Sequence, residues 1–241
     1  MRTIDWLLYY FLIRWASLAA KGVRSASVSR VRLLPGWRTI SLEGIVSKEG
    51  VRFKAHPTIG ACGIDCGMCP RYQTDAASRC PGCVAPGFLE SGGQWCKISR
   101  CAVRDSGYET CADCVEFPCY RLDGWDEADS FVSHLRSLSN LRAIRDRGME
   151  AFLEQQGERM RLLGAMLRDF DEGRSKSYCC RAAALLPIDE LDRAVKEATG
   201  LVGEAAIAKD DRKAKARALH ETLDAAAERL GISLRLRRSE R

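Results

Sequence analysis

Ten of the twelve cysteines lie within residues 62–119, a density that indicates metal chemistry. Three pairs in this segment are separated by two residues: Cys66/Cys69, Cys80/Cys83 and Cys111/Cys114. A two-residue spacer lets one tight turn direct both sulfur atoms at a single ion about 2.3 Å away. The candidate metal ligands are the ten clustered thiols: Cys62, Cys66, Cys69, Cys80, Cys83, Cys96, Cys101, Cys111, Cys114 and Cys119.

Zinc is the commonest ion in sites made of four thiolates, and eight thiols fill two tetrahedral sites. The sequence predicts two zinc ions on this basis, with two thiols beyond the eight. The segment is rich in Gly and Pro and poor in apolar residues, so it cannot bury enough surface to fold by itself. Structural zinc supplies about 10–16 kcal/mol of apparent binding free energy to such a segment. The spacing leaves open which cysteines share an ion.

The first three thiols also allow an iron-sulfur cluster. Cys62-x3-Cys66-x2-Cys69 is similar to the spacing with which radical S-adenosylmethionine enzymes hold a [4Fe-4S] cluster, and Cys69-Pro70 is similar to the end of a ferredoxin motif. The strand-helix repeats that such enzymes require do not follow it in the sequence. An iron-sulfur cluster of another kind stays open as the alternative cofactor, because thiolates alone do not distinguish zinc from iron.

A disulfide framework would require an oxidising compartment, which a chain usually reaches through a signal peptide. Residues 4–20 are apolar, but Asp5 and Arg14 interrupt them and the longest uncharged run is eight residues. A bilayer-spanning helix needs about 20 residues. We therefore expect reduced cysteines in a cytoplasmic protein, with residues 4–20 as the one segment that could contact a membrane.

The net charge of +6 belongs to the part of the chain before the clustered cysteines. Residues 1–55 contain ten Lys or Arg against three Asp or Glu, whereas residues 62–119 contain five against seven. Nucleic-acid binding depends on a positive surface that releases counterions from phosphates, and thiolate ligands would add further negative charge. The cysteine-rich segment is therefore not expected to bind nucleic acid, and a protein partner is expected instead.

Few other side chains suggest catalysis. Asp65, between Cys62 and Cys66, could act as a base beside a metal-bound water, but a short acidic residue in a glycine-rich turn more often accepts hydrogen bonds from backbone N–H groups. Among the histidines, His56 is close enough in sequence to join the cysteines, and His134 is predicted to lie on a helix face. No Ser/His/Asp set, phosphate loop or acid pair is evident, so we do not expect an enzyme.

A second, weaker candidate site is the stretch GRSKSYCC, residues 173–180. Cations and hydroxyls precede a predicted helix there, and the free N–H groups at a helix start favour anions. The candidate residues for a phosphate or carboxylate are Arg174, Ser175, Lys176 and Ser177. An ordinary capped helix start with solvated charges is the favoured alternative.

Composition divides the chain into three regions. Residues 1–55 form a leader with an apolar helix and a hairpin expected over 37–55, residues 56–124 form a cysteine-rich metal-binding module, and residues 125–241 form a helical region packed on it. The predicted fold class is mostly α with a small irregular, metal-bound module and few or no strands apart from the hairpin.

Helices are predicted over residues 126–146, 149–170, 177–199 and 204–229, where apolar residues recur every three or four positions. The stripe in the second of these helices consists of Met149, Leu153, Met160, Leu163, Leu167 and Phe170. Gln156 is the residue that interrupts it. A stripe of this kind is typical of a helix face that packs in a core.

The order CGIDCGMCPRY, CPGC, CKISRCA and CADCVEFPCYRL, over about residues 58–124, resembles the bacterial and archaeal family called domain of unknown function 3795. Later segments such as DEGRSKSYCCRAAALLP resemble the helical extension of a longer subgroup. The resemblance implies a cysteine-rich, metal-binding module whose matching thiols are the ten clustered cysteines, and it implies no reaction. Many members have a further cysteine three residues before the one matched by Cys96, where this chain has Gly93.

Overall fold

Residues 53–208 and 210–238 are described by a computed structural model of the chain. The apolar segment 4–20 and most of the predicted hairpin 37–55 lie outside these residues. Within the part that the structure describes, no helix is both long enough and apolar enough to cross a membrane.

Most of the regular structure is helical. The helices are α1 (Lys97–Ser99), α2 (Ser137–Arg147), α3 (Met149–Phe170), α4 (Lys176–Leu185), α5 (Ile188–Glu204) and α6 (Arg212–Arg229). Between residues 53 and 238, leaving out residue 209, there is no strand, and pairing is limited to an isolated bridge between Ile59 and Asp65. The prediction of a mostly α chain with a small irregular cysteine-rich segment is therefore confirmed.

The first predicted helix, 126–146, is wrong in its first half, because α2 begins only at Ser137. Residues before it form turns around Asp129, whose carboxylate accepts hydrogen bonds from the backbone N–H of His134 at 2.7 Å and from the hydroxyl of Ser133 at 3.2 Å. A short acidic side chain that bonds to nearby backbone in this way competes with helix formation.

The predicted helix 177–199 is two helices. α4 ends at Leu185 and α5 begins at Ile188, with Pro187 between them. Proline lacks an N–H group and disfavours the helical conformation of the preceding residue, and Leu186 is accordingly extended. The last helix starts later than predicted, at Arg212, because the carboxylate of Asp211 accepts from the N–H of Ala214 at 3.0 Å and caps it.

The buried face of α3 is rotated by about one residue from the predicted stripe. Met149, Leu153, Met160 and Leu167 are half-buried and lie at its edge. The buried residues of α3 are Phe152, Gln156, Arg159, Leu162, Leu163, Met166 and Phe170. Gln156 therefore lies at the centre of the packed face instead of interrupting its edge.

Two apolar cores share α3. One core joins α3 to α4, α5 and α6 and includes Met68 from the cysteine-rich segment. The other joins Ile59, Val84 and Leu122 of that segment to Leu141 of α2 and to Phe152 of α3, among other side chains. The cysteine-rich segment therefore completes its core with side chains from two helices that follow it in sequence.

Candidate metal centre

Two of the Cys-x2-Cys pairs lie on turns of the same kind. A 3-10 turn runs over Cys66–Met68 and another over Cys111–Asp113, so each begins at the first cysteine of its pair. The second cysteine, Cys69 or Cys114, directly follows its turn in an extended conformation. Each turn is also capped by the residue before it, and these caps fix the backbone that carries both thiols.

The cap of the first turn is Asp65, whose carboxylate accepts from the N–H of Met68 at 3.3 Å. The same oxygen accepts from Nε2 of Gln156 at 2.7 Å. Burial raises the pKa of Asp65 to about 6, although the hydrogen bond from Gln156 and the charge of Arg159 oppose this increase. The prediction that Asp65 accepts a hydrogen bond from a backbone N–H group is confirmed.

Backbone groups lie near several of the clustered sulfur atoms. The N–H of Ser99 donates to Sγ of Cys96 at 3.3 Å. Against the larger effect of burial, hydrogen bonding by the backbone of Ile64 lowers the pKa of Cys62, that of Cys83 lowers the pKa of Cys66, and that of residues 71 and 72 lowers the pKa of Cys69. Burial raises the pKa of all three thiols, that of Cys62 to about 12, while these hydrogen bonds lower it. Such donors stabilise a thiolate more than a thiol.

Cys62, Cys66, Cys83 and Cys96 form one neighbourhood of thiols. After burial, which has the largest effect, negative charge at Cys66 and Cys96 raises the pKa of Cys62. Burial raises the pKa of Cys83 to about 12 as well, and charge at Cys62 and Cys96 raises it further. Charge at Cys111 also raises the pKa of Cys62, and charge at Cys80 raises that of Cys83, so this neighbourhood extends towards the other clustered thiols. Cys96 is the exposed member of the group.

A second neighbourhood surrounds a small cavity with a volume of about 30 Å³. The thiols that line it are Cys101, Cys111, Cys114 and Cys119. Burial raises the pKa of Cys111 to about 12, and the other thiols that raise it are, in decreasing order, Cys119, Cys101, Cys114 and then Cys96. The electrostatics of Cys111 thus include the three other thiols of the cavity and also Cys96, which does not line it.

The remaining clustered thiols, Cys69 and Cys80, border the first neighbourhood, since charge at Cys69 raises the pKa of Cys66 and charge at Cys80 raises that of Cys83, in each case after the larger effect of burial. Burial raises the pKa of Cys69, and charge at Cys80 adds to this increase. Cys180 of α4 was not among the predicted ligands, but charge at Cys69 raises its pKa in addition to the larger effect of burial. No spacing in the sequence connects Cys180 to these thiols, since it lies about a hundred residues further on.

The thiols of each neighbourhood lie near one another, but they are not arranged as the coordination shell of a metal ion. Within residues 53–208 and 210–238, no three or more His, Cys, Asp or Glu side chains are arranged around one point at which they could hold a metal ion. All twelve cysteines have free thiols. The donor chemistry fits a thiophilic metal, and the thiols would have to approach one another to bind it.

Three polar side chains of α2 and α3 donate hydrogen bonds to backbone carbonyl groups of the cysteine-rich segment. Nδ2 of Asn140 donates to the carbonyl oxygen of Gly63 at 3.0 Å, and Nε2 of Gln156 donates to that of Thr58 at 2.8 Å. The guanidinium of Arg145 donates to the carbonyl oxygens of residues 114 and 117 at 3.2 and 3.1 Å. Sequence reasoning missed these supports, although a glutamine within an apolar stripe is a signal for one of them.

Lys54, which was assigned to the leader, is also part of the module. Its ammonium group is fully buried, donates to the carbonyl oxygen of Glu109 at 2.8 Å and lies 3.3 Å from the carboxylate of the same residue. Burial raises the pKa of Cys83, and the positive charge of Lys54 opposes this. No pattern in the sequence indicates this buried ion pair, because its partners are 55 residues apart.

The structure gives a backbone contact for His56 and the position of the ring of His134. The backbone N–H of His56 donates to the carboxylate of Glu109 at 2.6 Å. His134 is not on a helix face, and that prediction is wrong. Its ring is buried against Trp125, with Nε2 3.0 Å from the hydroxyl of Ser130 and Nδ1 3.2 Å from the carbonyl oxygen of Trp125. His134 is thus a satisfied buried side chain.

The anion-site candidates Arg174, Ser175, Lys176 and Ser177 lie at the start of α4. Carboxylates of the protein already accept hydrogen bonds from N–H and hydroxyl groups of this turn that an anion would otherwise use. Asp171 accepts from the N–H groups of Gly173 and Ser175 at 2.8 and 3.2 Å. The hydroxyl of Ser175 donates to Glu172 and lies 2.8 Å from Nε2 of His220.

Comparison with protein families identifies the thiol-bearing segment. Residues 58–124 match the family described as Protein of unknown function (DUF3795). The resemblance inferred from the cysteine order is therefore confirmed, and the matched DUF3795 segment contains all ten clustered thiols. No curated protein and no solved structure matches the chain.

Gly93 occupies the position at which the resemblance places a further cysteine. A Cβ atom there would lie 2.5 Å from the carbonyl oxygen of Phe88 and 2.6 Å from its ring. The N–H of Gly93 also donates to that carbonyl at 2.8 Å. The local backbone therefore has no space for a side chain, and a thiol at this position would require a different loop.

Proposed function

We propose that the DUF3795 segment is a metal-binding module stabilised by zinc, and that the chain acts as a binding or adaptor protein and not as an enzyme. The observation that carries this proposal is the clustering of free thiols on short capped turns, where Cys66/Cys69 and Cys111/Cys114 each flank a 3-10 turn. A tight turn of this kind lets both thiols of a pair bind one zinc ion.

Zinc binding would provide stabilisation that the segment does not obtain from regular secondary structure or from a core of its own. Residues 53–136 have only short helical turns and complete their core with α2 and α3. Four thiolates around each of two ions would join turns that are distant in sequence, and the binding free energy would become folding free energy. Because burial keeps the thiols protonated, zinc binding would release protons.

The adaptor role is supported by apolar side chains on the outer surface of the module. Val115 is 85% exposed and Tyr120 is 70% exposed, and both lie next to candidate ligands. Aromatic residues are enriched in protein interfaces, whereas an exposed valine contributes little to a monomer. The free thiols of all twelve cysteines support a reducing, cytoplasmic location.

An iron-sulfur or metal-transfer role is the second candidate. It is favoured by the number of clustered cysteines, because ten thiols exceed the eight that two tetrahedral zinc sites require. Surplus thiolates are useful where a metal is exchanged or a cluster changes its redox state.

Metal analysis of protein purified without oxygen distinguishes the two functions. The zinc proposal predicts a colourless protein with about two zinc ions per chain and no charge-transfer absorption in the visible region. A brown protein with stoichiometric iron and acid-labile sulfide would overturn the zinc proposal and support the second candidate. Protein without bound metal of any kind would overturn both.

A further inference from the structure

The cavity between the last four clustered cysteines has the dimensions of a site for one ion. Its volume is about 30 Å³. That is enough for one water molecule or one small cation. A water molecule needs two to four good hydrogen-bonding partners, and thiols are weak donors and weak acceptors. A thiophilic cation fits this lining better than water does.

The walls of the cavity favour a closed site over an open one. Apart from the four thiols, the lining consists of the apolar residues Ile98, Ala102, Phe117 and Leu122 and of Ser106, Tyr108 and Arg121. Ala102 and Leu122 are buried. Structural zinc sites are closed in this way by four protein ligands, whereas catalytic sites keep a position for water.

Three turns place the four thiols around the cavity, where they would have to move closer to one another to hold an ion. Cys101 lies in a π-helical turn over Arg100–Asp105, Cys111 starts a 3-10 turn, and Cys119 precedes another at Tyr120–Leu122. Backbone hydrogen bonds hold them, such as the bond from the N–H of Leu122 to the carbonyl oxygen of Cys119 at 2.9 Å.

A residue of α2 holds the segment between the turn at Cys111 and the turn that follows Cys119. The carbonyl oxygens of Cys114 and Phe117 accept from Arg145, whose guanidinium also lies over the ring of Phe117, 5.7 Å from its centroid. The backbone that carries Cys114 and Cys119 is therefore fixed by a helix that is not part of the matched segment.

We propose that Cys101, Cys111, Cys114 and Cys119 hold one zinc ion together, in a site separate from the six other clustered cysteines. The assignment rests on the proposed function, and it adds the ligand set that the spacing left open. Cys101-x9-Cys111-x2-Cys114-x4-Cys119 contains a single Cys-x2-Cys pair. The other two ligands of the site are recognisable only from the fold.

Zinc stoichiometry of cysteine variants, measured by native mass spectrometry without oxygen, tests the ligand set. Cys111→Ser should lose one of the two zinc ions, and Cys111→Ser/Cys119→Ser should lose no more than that. Cys111→Ser/Cys66→Ser should lose both ions. Cys179→Ser, a buried thiol in the core of the helices, is the matched control and should keep both.

The assignment is overturned if Cys111→Ser/Cys119→Ser loses both ions, or if Cys111→Ser/Cys66→Ser keeps one. A wild-type protein without any metal would overturn the proposed function itself, and the assignment with it. If the wild type binds metal but the variants lose ions in other combinations than these, the assignment is overturned and the proposed function stands.

Alkylation of the wild-type protein avoids variants that fail to fold. Zinc-loaded protein is treated with less than one equivalent of a chelator and then with iodoacetamide, and the modified cysteines are identified in single molecules by mass spectrometry. Cys101, Cys111, Cys114 and Cys119 should be modified together or not at all in each molecule. Chains in which two of the four are modified together with Cys66, while the other two stay protected, would overturn the assignment.

Discussion

Helices α3 to α6 bury leucine, methionine and alanine side chains in one continuous core, whereas residues 53–122 bury thiols, glycines and scattered apolar side chains between short turns. Apolar burial stabilises the first region, because each helix contributes a continuous face. The second region has no such face and uses α2 and α3 to close its core. The second region therefore depends on side chains outside the matched segment to complete its core.

Both regions bury a cation where the backbone leaves regular structure. Arg159 donates to the carbonyl oxygens of Ala183 and Leu186 at 2.6 Å each, at the end of α4. Burial lowers the pKa of Arg159 to about 10. Lys54 similarly donates to the carbonyl oxygen of Glu109 in the cysteine-rich region. Carbonyl groups without a helical partner thus require a buried donor in either kind of core.

Removing apolar volume from the helical core should have the largest effect of a single substitution. Leu191 of α5 is fully buried, and Leu191→Ala should lower the free energy of unfolding by about 2–5 kcal/mol. The loss should be the same before and after chelation, since this core contains no proposed ligand. Urea unfolding followed by far-UV circular dichroism measures it. Leu201→Ala, at an exposed position of the same helix, is the control and should change stability by less than about 0.5 kcal/mol.

The junction between the regions should be nearly as sensitive. Gly63 has φ +82, and a Cβ atom there would lie 2.1 Å from the carbonyl oxygen of Ser137. Gly63→Ala should cost about 1–2 kcal/mol for the left-handed conformation and about 1–3 kcal/mol for the steric overlap. Gly164→Ala, in α3 with no atom near the added methyl group, should instead stabilise by up to about 1 kcal/mol. Equal thermal stability of the two variants would contradict the close packing of Gly63 on α2.

The polar contact across the junction should have a smaller effect. Gln156→Ala would remove one of two donors from the carbonyl oxygen of Thr58 and one of two from Oδ1 of Asp65, which keep the N–H groups of Gly67 and Met68, at a cost of about 1–3 kcal/mol. Glu154→Ala, at an exposed position on the same helix, should stay within about 0.5 kcal/mol of the wild type. Urea unfolding of both variants with zinc present checks this, and equal values would show that the contact does not stabilise the junction.

The smallest expected effect is a pH dependence of the ion pair between Asp129 and Arg237, which are 2.8 Å apart. Burial raises the pKa of Asp129, but hydrogen bonds from Arg237 and from the N–H of His134 outweigh it and lower the pKa from 3.8 to about 2. Because the folded-state pKa is the lower one, the stabilisation is present above about pH 4 and lost as the pH falls towards 2. Asp129→Asn should therefore cost about 1–2 kcal/mol at pH 7.

The difference in unfolding free energy between Asp129→Asn and the wild type, measured in urea at several pH values, should decrease as the pH falls from 4. A difference that stays constant down to pH 2 would contradict the lowered pKa. Asp169→Asn, at an exposed ion pair with Arg168, provides the comparison and should have little effect at any pH.

The sequence predicted the features that depend on local spacing. Cys-x2-Cys pairs predicted tight turns with adjacent thiols, and two of the three pairs do lie on capped 3-10 turns. Apolar periodicity predicted the helices, with errors where a local signal was not considered. Pro187 divides one predicted helix, and Asp129 competes with the start of another.

The grouping of the thiols could not be predicted, because it depends on how distant turns pack. Cys83 lies beside Cys62 and Cys66 through contacts that no short-range pattern records. Gln156 was considered an interruption of a stripe, since periodicity measures hydrophobicity and does not detect a polar side chain that faces a partner segment. Lys54 was assigned to the leader on composition, which contains no information about its buried pair with Glu109.

The most direct test of the comparison is amide hydrogen exchange before and after zinc removal, measured on oxygen-free protein by mass spectrometry. If thiolate-bound zinc stabilises the cysteine-rich region, chelation should remove the protection of residues 58–122 while α5 and α6 keep theirs. Loss of protection in α5 and α6 at the same chelator concentration would contradict the account, and so would protection of residues 58–122 that survives complete removal of zinc.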